Sequence, residues 1–139
     1  MGENWLLCLV GLPYSGKSTW ARNEGYPIVC PDDIRLALHA QRYSAEAEPM
    51  VWAIAKIMVK ALFLSGHDRV ILDATNTTRK RRDEWRSEDW ELKFHTFSAD
   101  MQTCLNRASE AEDTEILPII EKMDAQFDAF EVDDTVDVH

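Results

Sequence analysis

The sequence predicts an α/β fold, a three-layer sandwich in which a mostly parallel sheet of four to five strands carries helices on both faces. Three observations lead there. Short apolar runs at Leu6–Val10, Ile28–Cys30 and Val70–Leu72 alternate with longer stretches of helical periodicity, and strands separated by helix-length segments pair in parallel through right-handed crossovers. Val70-Ile71-Leu72 is continuously apolar instead of alternating, as a strand buried on both faces is. Finally, the first apolar run breaks into a glycine-bearing loop and then, with no helix breaker, into a helix. At 139 residues the chain has enough length for a single core, and 1–139 reads as one domain.

Taken in order, a strand over Trp5–Val10 leads through the loop to a helix from about Gly16 to Asn23, closed by Gly25 and Pro27. Ile28–Cys30 is the second strand, stopped by Pro31. Asp32 and Asp33 fall at a helix start, where acidic residues cap and complement the dipole, with Ile34 and Leu38 on one face. Gln41–Ala45 reads as a loop. Glu46–Ser65 is the longest helical pattern, through Val51, Ile54, Ala55, Met58, Ala61 and Leu62, with Gly66 as its stop signal. Arg69–Thr75 is the third strand, and Thr77 or Thr78 caps a basic helix over Arg79–Trp85. Glu91–Phe97 alternates as a fourth strand, with Leu92, Phe94 and Thr96 on one side. A helix from Asp100 to about Ser109 follows, then an acidic connection. The last amphipathic helix is expected over Ile116–Phe130, through Ile119, Ile120, Met123, Phe127 and Phe130, and Asp133–His139 is either a frayed tail or a short strand. Trp20, Trp52, Trp85 and Trp90 are read as core or half-buried residues, not stacking platforms. His39, His67 and His95 receive no role.

The net charge is −10, but it is unevenly spread. Eleven acidic residues follow Ser109 against Lys122 alone, whereas the first 109 residues balance 14 acidic with 14 basic. The surplus thus belongs to the chain from Glu110 onward, which takes in the acidic C-terminal helix and tail, 116–139, and reads as a solvated face. Cys8, Cys30 and Cys104 form no C-x-x-C pair, so structural thiols are expected and neither a disulfide frame nor a zinc site. The longest apolar stretch, Met50–Leu64, is short for a bilayer and carries Lys56 and Lys60. Glu3 and Asn4 stand where a signal peptide would be basic. A soluble, cytoplasmic protein without membrane association is expected, of unassigned oligomeric state.

The loop itself is Gly11-Leu-Pro-Tyr-Ser15-Gly16-Lys17-Ser18, the G-x-x-x-x-G-K-S pattern in its strand–loop–helix setting. Gly11 and Gly16 free the backbone so that successive N–H groups aim at one anion, and the helix N-terminus adds its dipole. Lys17 reaches β- and γ-phosphates, and Ser18 offers a hydroxyl to Mg²⁺. A nucleotide site in so small a chain points to a small kinase. Two more clusters fall at strand ends, the edge where such sheets bind ligands: Asp32-Asp33 with Arg35, and Asp73 with Thr75 and Asn76. One carboxylate there can take a proton from an attacking hydroxyl, and another can orient Mg²⁺ through its waters. The basic run Arg79–Arg82 either contacts phosphate or forms a solvated face paired with Asp83, Glu84 and Glu88.

The phosphate loop, Asp-Asp-x-x-Arg after the second strand, Asp-x-Thr-Asn after the third and the basic helix together resemble the polynucleotide 5′-hydroxyl kinases, P-loop kinases of the AAA-type ATP-binding group. The resemblance covers Leu6 to about Phe130. It implies a P-loop kinase sandwich using ATP, or another NTP, with Mg²⁺. Gly11, Ser15, Gly16, Lys17, Ser18 and Thr19 would hold the nucleotide, with Ser18 and Asp73 at the metal. Asp32 matches the general base, and Arg35 the arginine on the acceptor's 3′-phosphate, with Asp73, Thr75 and Asn76 completing the acceptor side. The acid next to Thr-Asn in some relatives is Ala74 here. Arg107 fits the first arginine of a lid over the phosphates, about 108–117. Ala111 stands where a second would follow.

This reading expects phosphoryl transfer to a 5′-hydroxyl end of DNA or RNA. The neutral body and acidic lid keep two alternatives open: a kinase for a small metabolite, nucleoside or modified DNA base, and an ATP-binding switch or interaction module with little turnover, whose acidic C-terminal helix docks a basic partner.

Overall fold

In a computed structural model of the chain, residues 3–40 and 46–139 are described; the expected loop Gln41–Ala45 lies outside them. β1 runs Trp5–Val10, and α1, Lys17–Glu24, starts behind Gly16 at φ 99° and ends on Gly25 at φ 79°, left-handed turns suited to glycine. β2 is Ile28–Val29. Pro31 does not merely stop that strand: it is the first residue of α2, Pro31–His39, where its missing N–H costs nothing and its φ is already helical. α3 spans Glu48–Leu64, β3 Arg69–Leu72 and α4 Arg79–Asp83, capped by the Thr78 side chain. β4 is Glu91–Thr96. α5, Met101–Glu110, is capped by Asp100; a 3₁₀ turn at Thr114–Ile116 leads into α6, Leu117–Ala125.

All five strands are parallel, in the order β2-β3-β1-β4-β5 with β5 at Val136–Val138. The strands β2, β3 and β1, which carry the three clusters, are therefore neighbours. At about 4.8 Å per strand their C-terminal ends lie within roughly 10 Å of one another. Alternation along β1 separates the two faces. Leu6, Cys8 and Val10 pack with Val51, Ala55 and Val59 of α3 and with Trp85, Trp90 and Phe94, while Leu7 and Leu9 pack with Ala21 of α1 and Ile71. Val70, Ile71 and Leu72 are fully buried, each worth about 1.5–3 kcal/mol relative to exposure. Trp85 and Trp90 are core, and Trp20 and Trp52 pack half-buried against it. Burial raises the thiol pKa of Cys8, of Cys104 and of Cys30, the last to about 11, so all three remain neutral thiols.

The C-terminal expectation needs correction. The helix ends at Ala125 instead of continuing to Phe130, because Phe127 and Phe130 pack from irregular chain, Phe130 at 5.5 Å from the Phe94 ring. Asp133–His139 contains a real strand. Its end brings the His139 ring within 5.1 Å of Phe97 and puts His139 Nε2 2.8 Å from His95 Nδ1. Burial, then the neighbouring His139, pushes His95 down to about 4 from its ordinary 6.5. Between those values the unfolded chain binds more protons, so stability falls as pH drops through that window. His95 also borders an open groove with Trp5, Trp20 and Tyr26, where water screens part of the effect, leaving about 2 kcal/mol. Melting His95→Gln beside the native protein at pH 7 and pH 4.5 should show a smaller acid loss in the variant; equal losses would remove His95 from the account.

Candidate active site

The phosphate loop is bounded by close packing as much as by backbone freedom. Gly11 does not have positive φ; a Cβ there would meet Ser15 Oγ at 2.8 Å and Phe97 Cβ at 3.2 Å. Its N–H donates to Thr75 O at 2.9 Å, tying the loop's entrance to the segment leaving β3. The left-handed residues of the loop are Gly16 and, unforeseen, Tyr14 at φ 67°.

Lys17 is buried, its ammonium donating to Leu12 O at 2.8 Å with Ser15 Oγ at 3.5 Å. Burial lowers its pKa, and Asp73 is the strongest group pulling it back, with Asp32 contributing from the first turn of α2. Those two carboxylates and the ammonium thus belong to one field. Ser18 Oγ donates to Asp73 Oδ2 at 2.7 Å. Asp73 is itself buried, and this bond satisfies part of an otherwise costly carboxylate.

Asp32 sits in the first turn of α2 with its side chain 70% exposed, ion-paired to Arg35 Nη1. Arg35 is nearly buried, and Glu48 of α3 grips it with a fork: Nε to Oε2 at 2.8 Å and Nη2 to Oε1 at 2.7 Å. Burial alone would raise the Glu48 carboxyl, but the Arg35 fork overrides that and holds it below its usual value. Glu48 had no signal in the sequence beyond its place at a helix start.

The third cluster divides. Asp73 faces Ser18, but the Asn76 side chain points inward, donating Nδ2–H to Leu9 O at 2.8 Å from a left-handed backbone at φ 45°, a conformation asparagine tolerates. Neither reading of the basic run describes Arg82. It is 1% exposed and donates to four backbone carbonyls, Asn76, Thr77, Asp128 and Ala129. Arg79 pairs with Glu131 and Arg81 with Glu84, both at 2.7 Å, and the Arg81 guanidinium lies 3.8 Å over the Trp52 ring. Arg107 stands at the loop, donating from Nη1 to Tyr14 O at 3.0 Å.

Loop, sheet order and strand-end carboxylates together define a P-loop kinase fold. The chain belongs to the AAA domain family, whose model matches residues 6–131. Among solved structures it is similar to a chain of the Pnkp1/Rnl/Hen1 RNA repair complex, at 22% identity over 92% of this chain and 47% of that one, TM-score 0.69. In another structure of the Pnkp1/Rnl/Hen1 complex the match is 29% identical over 77% of this chain and 40% of that one, TM-score 0.69. It is also similar to a sugar kinase from Janibacter sp. HTCC2649, 18% identical over 99% of this chain and 85% of that one, TM-score 0.67. The chain spans less than half the length of the repair-complex chains it matches. No helix among the described residues is long and apolar enough to cross a membrane.

Proposed function

We propose that the protein is an ATP- and Mg²⁺-dependent kinase transferring a γ-phosphoryl group to an alcohol, with the 5′-hydroxyl end of DNA or RNA as the leading acceptor. One observation carries this reading: the Ser18–Asp73 hydrogen bond of 2.7 Å beside a buried Lys17 whose ammonium, among the described residues, touches only neutral oxygens. A hydroxyl, a carboxylate and a buried cation held by neutral oxygens at a helix N-terminus suit a polyphosphate and its metal better than any structural task.

Among the described residues no group of three His, Cys, Asp or Glu holds a metal alone. One hydroxyl and one carboxylate fit Mg²⁺, which keeps waters and takes its other ligands from phosphates; when bound it neutralises charge on the β- and γ-oxygens. Gly11, Ser15, Gly16 and Thr19 surround the nucleotide phosphates, Lys17 meets the β/γ charge, and Arg107 adds a cation from α5. Asp32 accepts the acceptor's hydroxyl proton as that oxygen bonds to the γ-phosphorus and the bond from phosphorus to the ADP oxygen breaks. Its exposure lets the carboxylate return the proton to water. Arg35, Thr75 and Asn76 belong to the acceptor side, Asn76 by fixing the backbone there.

A second reading, a small neutral alcohol as acceptor, is favoured by the Glu48 fork, which already fills the guanidinium edge a terminal phosphate would take. Transfer of labelled γ-phosphate from ATP at low salt separates the two, using a 5′-hydroxyl DNA oligonucleotide, its RNA counterpart, a 3′-mononucleotide and unphosphorylated sugars. Asp32→Asn should reduce the label by roughly 10²-fold or more with ATP binding retained. ATP binding without transfer to any acceptor would overturn the kinase assignment in favour of a nucleotide-binding switch.

A further inference from the structure

Leu12-Pro13-Tyr14-Ser15 forms a reverse turn closed by Ser15 N–H to Leu12 O at 3.1 Å. With proline second and a positive φ third, its pattern is that of a type II turn, whose third position favours glycine. Tyrosine at φ 67° is strained there and persists only where its surroundings hold it. Both polar ends of Tyr14 are held by one structural unit. Its carbonyl accepts from Arg107 of α5, and its hydroxyl donates to Asp113 Oδ2 at 2.8 Å, 99 residues away.

The turn beyond α5 is shaped for this contact. Glu112 is also left-handed, at φ 58°, and Asp113 N–H is fixed on Ala108 O at 2.9 Å. Ring packing adds to the contact, since Tyr14 lies with Leu105, Ile116, Leu117 and Met123 around the buried Leu12, Cys104, Ala108 and Ile120. The carbonyl that opens the same reverse turn, Leu12 O, is the one that holds the Lys17 ammonium.

We propose that Tyr14 is a positioning residue: its clasp on Asp113 and Arg107 holds the Leu12–Ser15 turn, and through it Lys17, in the anion-receiving arrangement, so that the α5–α6 unit sets the loop's affinity for nucleotide. The proposal rests on the phosphate-binding reading of this loop. It gives the acidic turn a task other than facing phosphate: the turn reaches the loop through a carboxylate that accepts from the loop's own tyrosine.

The test is a double-mutant cycle on Mg·ADP affinity by titration calorimetry, with the melting temperature of the free protein measured alongside. Tyr14→Phe and Asp113→Ala should each weaken binding about tenfold, the size of a lost hydrogen bond to a charged group. The double variant should be no weaker than either single one. Affinities within twofold of the native protein, with only a lowered melting temperature, would overturn the clasp and leave Tyr14 a packing residue. Independent losses that multiply to about a hundredfold would also overturn it. A native protein that binds no nucleotide would overturn the phosphate-loop reading itself, and is recognisable before any variant is made.

Discussion

Replacing Lys17 by methionine is expected to reduce phosphoryl transfer by roughly 10³-fold or more, the scale of a cation that stabilises the transferring group, while leaving the fold as stable as before or more so. Methionine keeps the buried stem's volume and removes only the charge. That charge is expensive in the free protein, because burial lowers the Lys17 pKa below its ordinary 10.5 and, among the described residues, the ammonium contacts a carbonyl and a hydroxyl but no carboxylate. The linkage has a definite sign. Between the lowered folded value and 10.5 the unfolded chain binds more protons, so native stability rises with pH through that window, and Lys17→Met should flatten the rise.

A nucleotide's phosphates supply the missing counter-charge, so the same group that burdens the free protein favours the complex. At a concentration of 100 Kd the native protein should gain about 2.7 kcal/mol from Mg·ATP, and the variant little of it. Thermal melts with and without Mg·ATP, next to the labelled-transfer assay, check both halves. A variant still stabilised by ATP to the native extent would show that Lys17 serves the fold and not the ligand.

What the sequence discloses follows from which physical demands are local. The phosphate loop is legible because anion binding needs particular residue types at fixed spacing, and Val70-Ile71-Leu72 because a strand covered on both faces has no polar side. Partners brought together by the fold are not legible. Any residue at position 14 reads as loop, and only Asp113 and Arg107, distant in sequence, reveal why a tyrosine holds a left-handed turn. Arg35 is marked as acidic-pair chemistry through Asp32, but the fork that occupies it comes from Glu48 on the next helix. Helical periodicity through Phe127 and Phe130 identifies one core-packing aromatic, Phe130, whereas Phe127 stays 41% exposed against the Phe130 ring. It also misstates the backbone between them, since irregular chain, not helix, brings Phe130 back onto Phe94. Within Arg79–Arg82 four adjacent cations look alike, and the one that goes inside is decided by carbonyls almost fifty residues onward.

That buried cation yields the largest stability effect. Arg82→Ala is expected to cost about 3–5 kcal/mol, since it leaves several buried carbonyls unsatisfied at about 1–3 kcal/mol each, out of a total of about 5–15 kcal/mol for a domain. Arg82 lies 4.7 Å over the Phe130 ring and joins two segments that share no secondary structure: Asn76 and Thr77 after β3 accept from Nη1 at 3.1 Å, and Asp128 and Ala129 after α6 accept from Nη2 at 2.7 and 2.9 Å. Desolvation lowers its pKa, with Asp128 and Asp134 opposing, and its direct hydrogen bonds go to four carbonyl oxygens met by one planar guanidinium. Lysine cannot reproduce that fork, and Arg82→Lys should lose about half as much as alanine, roughly 2 kcal/mol. Because the anchored segment 76–77 begins three residues after Asp73, transfer activity should fall at temperatures where both variants remain folded. Urea midpoints for the two variants, with activity measured at low temperature, test the assignment; a loss below about 1 kcal/mol for Arg82→Ala, ordinary for a surface change, would mean that water replaces the guanidinium at these carbonyls.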